Sequence, residues 1–532
     1  MTAIAPATEL PVTPQAEVET AEDGRHRLRT LTVAYLGLPS MIFALGWTRL
    51  PVALLATLGL IGLLGLSIRE ARNADECVVA IPNRTLRWAV ATCVGIMTGA
   101  AALVPQTWDW LKHNAMLRDL VGMDWPIMYD IDENRVGLVY YIGYYLPAAS
   151  VGKVFGWQAA QFALLLWTIL GIGLALAWFA ALVNTSARWV IAVFVTFSGL
   201  DVIGNLVMAP LLLLEPFPLP SGQIDWWAMI GKYPNHVTSV MWGPHHAIVA
   251  WLGAALMMDM IRRRSSRWVG VPVSLAVLNS PFVAIGLLPL VAFVIFGTSG
   301  NRLRRLRQSA SVPFVLSVTA VIPALAYLQV AMVDLPATLQ ATIETGFALT
   351  NPIVPDLGLV RATTAYLLLI GLEVVVFIIP LRAIPAFRSS PTVRRLVITL
   401  GLTLVLFPLY RYGRWSDLAM RAVVPSMFVL AILVVRALIR MPPRSWQHLM
   451  LKGVLVIGLM GAVSEFTRVA LNINSGKEVI AANLTRNDID ASSGVTDLAV
   501  SVYPDSPRFL AQYVGSTDSF FYEHFAAGEQ SE

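Results

Sequence analysis

"LRWAVATCVGIMTGAAALVP", residues 86–105, carries one arginine near its start and no charged residue after it, and runs almost directly into "TWDWLKHNAMLRDLVGMDWP", residues 107–126. An apolar run of ~20 residues is what a helix rising ~1.5 Å per residue needs to cross a hydrocarbon core of ~30 Å. Inside hydrocarbon no water satisfies backbone N–H and C=O groups, so such a run has to be helical, and the alternating pattern of a membrane barrel is missing here. Comparable runs recur along the 532 residues, of which 56% are hydrophobic and only 13% charged. With a mean hydropathy of +0.66, the chain reads as an all-α polytopic membrane protein.

Arginines order the runs. "RHRLR" (25–29), Arg69/Arg72/Arg84/Arg87, "RRRSSR" (262–267), "RLRRLR" (302–307), Arg382/Arg388/Arg394/Arg395 and Arg436/Arg440/Arg444 fall between apolar segments, and all become cytoplasmic if about 13 spans are drawn. The spans lie near 31–48, 52–68, 87–105, 159–183, 189–208, 243–261, 268–281, 283–298, 311–331, 363–381, 395–410, 417–437 and 450–468. This expectation places the protein in the cell (inner) membrane, N-terminus inside and C-terminus outside. The net charge of +5 then reports orientation and does not require a nucleic-acid partner.

The segments follow: a disordered cytoplasmic lead (1–30), an N-terminal transmembrane hairpin and cytoplasmic loop (31–86), a transmembrane core (87–468) and an extracytoplasmic C-terminal tail (469–532). No short apolar core with a small-residue cleavage site precedes the first span. "LVYYIGYYLPAASVGKVFG" (138–156) is long enough to cross, but counting it would put arginine clusters on both sides. It is expected as a helix on the outer surface, its tyrosine rings at headgroup depth. Cys77 and Cys93 are the chain's two cysteines and offer neither a disulfide framework nor a CxxC site.

Chemistry concentrates just beyond 86–105. On a helix Asp109, Lys112, His113 and Met116 share a face by i, i+3, i+4 spacing, so a carboxylate, an ammonium and an imidazole meet at the membrane surface beside Trp108, Trp110 and Trp125. The same residues would also serve as a solvated helix start. "KYPNHVTSVMWGPHHAIVAW" (232–251) gathers His236, His245 and His246. Adjacent histidines diverge on a helix and lack an i, i+4 partner, so the expectation is no metal site and either a hydrogen-bonding or a structural role. Asp201 falls within a span, where an unpaired carboxylate costs several kcal/mol, and should face a polar cavity.

The order of these features resembles the GT-C glycosyltransferases, membrane enzymes that take a sugar from a polyprenyl-phosphate donor. Asp109 in a long first outer loop, then "YYIGYYLPAASVGKVFG" (140–156), then the hairpin "SLAVLNSPFVAIGLLPLVAFVIF" (274–296) and the Arg-x-x-x-Pro entry within "YRYGRWSDLAMRAVVPSMFVLA" (410–431) carry the likeness. It covers roughly 87–470 and departs from the family in an extra hairpin (31–68) and a single aspartate where an acidic pair is usual. The resemblance implies a GT-C-like fold whose long first outer loop bears surface helices. It also implies sugar transfer to a cell-envelope glycan, lipid or protein, with membrane lipid as surroundings.

A lipid-linked donor needs cations for its phosphate. Arg411, Arg414 and Arg421 lie on the expected outer side and are the candidate clamp, since guanidinium pairs bidentately with phosphate oxygens; pairing with Asp417 or snorkelling is the alternative. Asp109 is the candidate general base, with Asp201 and then Asp124 behind it. Lys112, His113, His245 and His246 are the candidate substrate contacts. No cofactor is implied beyond the donor, and a divalent cation is not indicated. Two other functions fit the same features: a glycan polymerase or ligase using pyrophosphate-linked donors, and a transporter or flippase of lipid-linked sugars.

Overall fold

The computed structural model describes residues 15–72, 83–131, 134–212, 223–298, 300–332, 343–354, 357–485, 494–496 and 510–528. Residues 1–14 of the expected disordered lead, and Cys77, lie outside them, and the rest of that lead, 15–30, is helical instead of disordered, continuous with the first apolar run. The chain opens with α1 (Gln15–Trp47), α2 (Leu50–Arg72) and α3 (Arg84–Met97), followed by α4 (Trp110–Gly122), β1 (Met128–Ile131), β2 (Asn134–Leu138) and α5 (Leu146–Phe155). Next come α6 (Trp157–Val183), α7 (Trp189–Thr196), α8 (Asp201–Leu212), α9 (His236–Trp242), α10 (Pro244–Arg263), α11 (Gly270–Ala276), α12 (Pro281–Ala292), α13 (Arg302–Ser309) and α14 (Val312–Gln329). The last part holds β3 (Thr345–Phe347), α15 (Gly358–Ile370), α16 (Val376–Ala383), α17 (Pro385–Ser389), α18 (Pro391–Leu406), β4 (Tyr410–Tyr412), α19 (Asp417–Ala422), α20 (Val424–Arg440), α21 (Trp446–Thr485) and β5 (Val514–Ser516).

Among the described residues nine helical stretches are long and apolar enough to cross a membrane: 26–47, 50–72, 157–183, 189–208, 312–329, 358–383, 391–409, 417–440 and 446–472. The protein is therefore an α-helical membrane protein. The other four expected spans fall on α3, α10, α11 and α12, which are shorter or more charged. α10 forms the centre, buried from Pro244 to Met260 against α6 and α20, because its run Ala247–Met258 is apolar all round and has to be enclosed.

Two ends differ in chemistry. At one, Arg29 meets Glu70 at 2.6 Å, His26 lies 2.7 Å from Arg263 and Ser266 donates to the Arg305 carbonyl, so several arginine clusters converge. At the other, β1, β2 and β5 form an antiparallel sheet, and Thr48 pairs with Ala526. β5 brings the C-terminal residues back onto the 128–138 hairpin. We call these the arginine end and the cap end.

The 138–156 segment is not one surface helix. Helix begins at Leu146, and Tyr140, Tyr144 and Tyr145 are buried instead of lying at headgroup depth. Gly143 explains the packing: its N–H donates to Leu278 at 3.1 Å, and a Cβ there would meet Asn279 Oδ1 at 2.8 Å. Only a residue without a side chain lets the tyrosine segment seat on the α11–α12 turn.

Candidate functional site

The recess at the cap end is built by four elements. Asp109 precedes α4, and its carboxylate pairs with Lys112 at 3.0 Å while both side chains stay roughly 30% exposed (32% and 27%). One helical turn on, His113 points the other way, into protein. Its Nδ1 lies 2.5 Å from the Tyr145 hydroxyl and its Nε2 3.1 Å from the Trp242 carbonyl.

α10 supplies the second wall. His245 and His246 open it after Pro244, which is favoured at a helix start. His246 Nδ1 lies 2.7 Å from Ser280 Oγ, the N-cap of α12. The His245 ring packs 5.2 Å from His113, 5.4 Å from Tyr141 and 3.8 Å from His246. It is 2% exposed, and neither ring nitrogen has a hydrogen-bond partner among the described residues. A buried polar atom without a partner costs ~1–3 kcal/mol, so this imidazole is a group that a ligand would satisfy.

α19 brings the cation. Arg421 pairs with Asp417 at 2.8 Å, donates to the Tyr141 hydroxyl at 3.1 Å and lies over the Tyr141 and Phe282 rings, 5.8 and 5.3 Å from their centroids. The tail adds Tyr513, whose ring packs tilted 4.9 Å from Tyr140 and whose phenol feels the charges of Lys112 and Asp109.

Charge in the recess is mutually adjusted. Burial pushes the Asp109 carboxyl up, but Lys112, His113 and Arg421 together pull it below its ordinary value. Burial opposes the charge on Lys112, yet the Asp109 carboxylate together with Tyr513 and Tyr141 outweighs it and raises the ammonium. His113 is lowered to about 4, first by burial and then by Lys112, so it is neutral at physiological pH. The site thus holds an ionised carboxylate beside two cations, a neutral imidazole and aromatic walls.

Several expected residues lie elsewhere. Arg411 is buried in the β3–β4 corner, paired with Glu344 and donating to the Pro352 carbonyl at 2.8 Å, because a buried guanidinium has to be satisfied locally. Arg414 is exposed and stacks on Trp415 at 5.4 Å. Of the three arginines expected together, Arg421 is the one whose charge acts on Asp109 and Lys112. Asp124 is exposed near Lys153, beyond α4 and outside the recess. His236 is held by the Phe194 carbonyl at 2.7 Å among Phe194, Phe197 and Trp251.

Asp201 belongs to another buried cluster: it accepts from Ser198 at 2.5 Å and from Trp227 at 3.3 Å. Among the described residues no group of three or more His, Cys, Asp or Glu is arranged to hold a metal. Sequence reasoning missed Tyr141, Tyr145 and Tyr513 as lining residues, along with Ser280 and Phe282. "NSPF" (279–282) did hold a signal, a Ser N-cap before Pro, for a helix start facing the site. No protein-family model, curated protein or solved structure matches this chain.

Proposed function

We propose that the protein is a membrane glycosyltransferase that moves a sugar from a polyprenyl-phosphate donor to a cell-envelope acceptor, with Asp109 as general base and Arg421 as the phosphate contact. The observation that supports this best is the meeting, in one recess, of the Asp109–Lys112 pair, the Arg421 guanidinium that acts on it electrostatically and the unpartnered His245. In the reaction an acceptor hydroxyl oxygen bonds to the anomeric carbon while the carbon–oxygen bond to phosphate breaks. The phosphate leaves with the electron pair, and the hydroxyl proton passes to Asp109.

A carboxylate held below its ordinary pKa is a weak base, so it takes the proton late, once the attacking hydroxyl has become acidic. Arg421 and Lys112 would balance the phosphate charge. On this reading the recess and the C-terminus are extracytoplasmic and the arginine end cytoplasmic, in keeping with the positive-inside trend.

A transporter of lipid-linked sugars is the second reading, favoured by the carboxyl groups buried away from the recess. Purified protein in detergent decides between them. It is given polyprenyl-phosphate-linked hexose or pentose and a glycan acceptor, and release of polyprenyl phosphate is followed. Transfer that disappears in Asp109→Asn supports the transferase; donor binding without turnover across the panel points to transport.

A further inference from the structure

Between α7 and α8 the span Trp189–Met208 is interrupted: Phe197–Leu200 leave the helix, and Asp201 starts the next one. Across from the break, the span 358–383 carries a π-turn at Gly371–Val375 centred on Glu373. The Leu200 N–H donates to the Leu372 carbonyl at 3.2 Å, and a Cβ on Gly199 would collide with the Glu373 carboxyl. Broken helices and π-turns within a membrane cost backbone hydrogen bonds and are kept where something uses them.

Here they bring two carboxyl groups together. Asp201 and Glu373 are 2% and 1% exposed and lie side by side. The Asp201 oxygens accept from the Ser198 hydroxyl and the Trp227 indole. Neither Glu373 oxygen has a hydrogen-bond partner of good geometry among the described residues. Two adjacent carboxylates cannot both stay ionised away from water. The acid with donors keeps the charge, and the one without them has to bring its own proton. From this geometry we infer that Glu373 carries a proton shared with Asp201, forming a proton-dependent latch between the broken span and the π-turn.

The surrounding charges fit one negative charge on the pair. Lys232 and Asp225, paired at 3.3 Å, face it from the 223–235 loop, as does Tyr233. Glu465, paired with Arg468 at 3.0 Å, reaches the cluster from α21. The Lys232 charge acts on Asp201, and α21 packs Gly458 against the Ser198 and Gly199 carbonyls. The latch does not depend on the transferase reading.

Infrared spectroscopy of the purified full chain in detergent tests it. The pH should be 8.5, above the about 7 to which burial pushes Asp225. Wild type is expected to show a protonated-carboxyl C=O band that shifts in D2O and is unaffected by replacing choline chloride with sodium chloride. Glu373→Gln, whose amide can still donate to Asp201, should lose that band and remain folded; Asp201→Asn should keep it. The melting temperature of Glu373→Gln should also fall less than that of wild type between pH 7 and 10, since ionising Glu373 would part the latch. Absence of the band in wild type, its loss on adding sodium, or its survival in Glu373→Gln would overturn the inference. The wild-type arms decide the matter even if a variant fails to fold.

Discussion

The Tyr145 hydroxyl and the His113 Nδ1 approach to 2.5 Å inside the protein, while the opposite ring nitrogen faces the Trp242 carbonyl. A carbonyl only accepts, so Nε2 carries the hydrogen and Nδ1 accepts from the phenol. The neutral ring is thereby satisfied at both nitrogens, and a second proton, on Nδ1, would reverse the Tyr145 contact and put a charge into a buried site.

A pH dependence of stability follows. The His113 pKa is 6.5 in the ordinary range and about 4 when folded, so between those values the unfolded chain binds a proton that the folded one lacks. Stability is full above about 6.5 and is lost as pH falls towards 4, by on the order of 3 kcal/mol. His113→Gln should flatten melting temperature against pH in that window. An unchanged slope would mean that other groups set the acid limb.

The three arginines separate by their partners. Arg421→Lys keeps the charge but not the planar fork, and the loss of one charge-assisted contact, about 1.5–3 kcal/mol, should weaken donor binding about 10- to 100-fold. Arg414→Ala removes an exposed side chain and should bind donor as wild type does. Titration of each variant with polyprenyl phosphate checks both, and equal losses at 414 and 421 would remove the clamp from α19.

Arg411→Met should act on stability instead. Its partners, the Glu344 carboxylate, about a third exposed (35%), and the Pro352 carbonyl, would lose this donor, a change that solvent at Glu344 reduces to ~1–3 kcal/mol. A lowered melting temperature with donor affinity retained in the folded fraction is the expected result.

Periodicity and length made the helices legible. The run at 157–183 has no ionisable residue to spoil it, and the structure places one helix there. α10 was legible from its apolar run despite Asp259 and two terminal arginines. The break at Phe197–Leu200 was missed: the expected span 189–208 runs through it, although "VFVTFSGLDVIG" (193–204) carries a Ser-x-x-Asp helix-start pattern at 198–201; its partner Glu373, from a distant span, has no local signal. In the recess, Asp109, Lys112 and His113 were found by local spacing. Tyr513 and Arg421 enter through tertiary packing of the tail and α19, and no local pattern separates Arg421 from Arg411.

Topology gives a separate test. Asp518 and Arg304 are both exposed, the first beside the cap sheet and the second at the arginine end. In a background without Cys77 and Cys93, a cysteine at 518 should react with an impermeant maleimide in intact cells, and one at 304 only after permeabilisation. Labelling in the reverse pattern would turn the molecule over and with it the proposed face of reaction.

Asp109→Asn is the most direct probe of the recess. The amide preserves size and can still hydrogen-bond, but it cannot accept the acceptor's proton, and it leaves Lys112 without its 3.0 Å counterion. Turnover should fall by ~10²–10⁴, the usual contribution of a general base, while polyprenyl-phosphate binding persists because Arg421 is untouched. Since Lys112, His113 and Arg421 hold the Asp109 carboxyl below its ordinary value against the effect of burial, its stabilising ionised form is present above the ordinary carboxylate range. It is lost only as pH drops through the depressed folded value. The wild-type rate should therefore show no limb from this group at pH 5–8. Release of the leaving phosphate needs little acid help, as its second pKa is ~6, so the mutant should not be rescued by lowering pH. Wild-type turnover in Asp109→Asn would place the base elsewhere: Asp201 is buried among Ser198, Trp227 and Glu373, and Asp417, 2.8 Å from Arg421, is the described carboxylate of the recess that would succeed it.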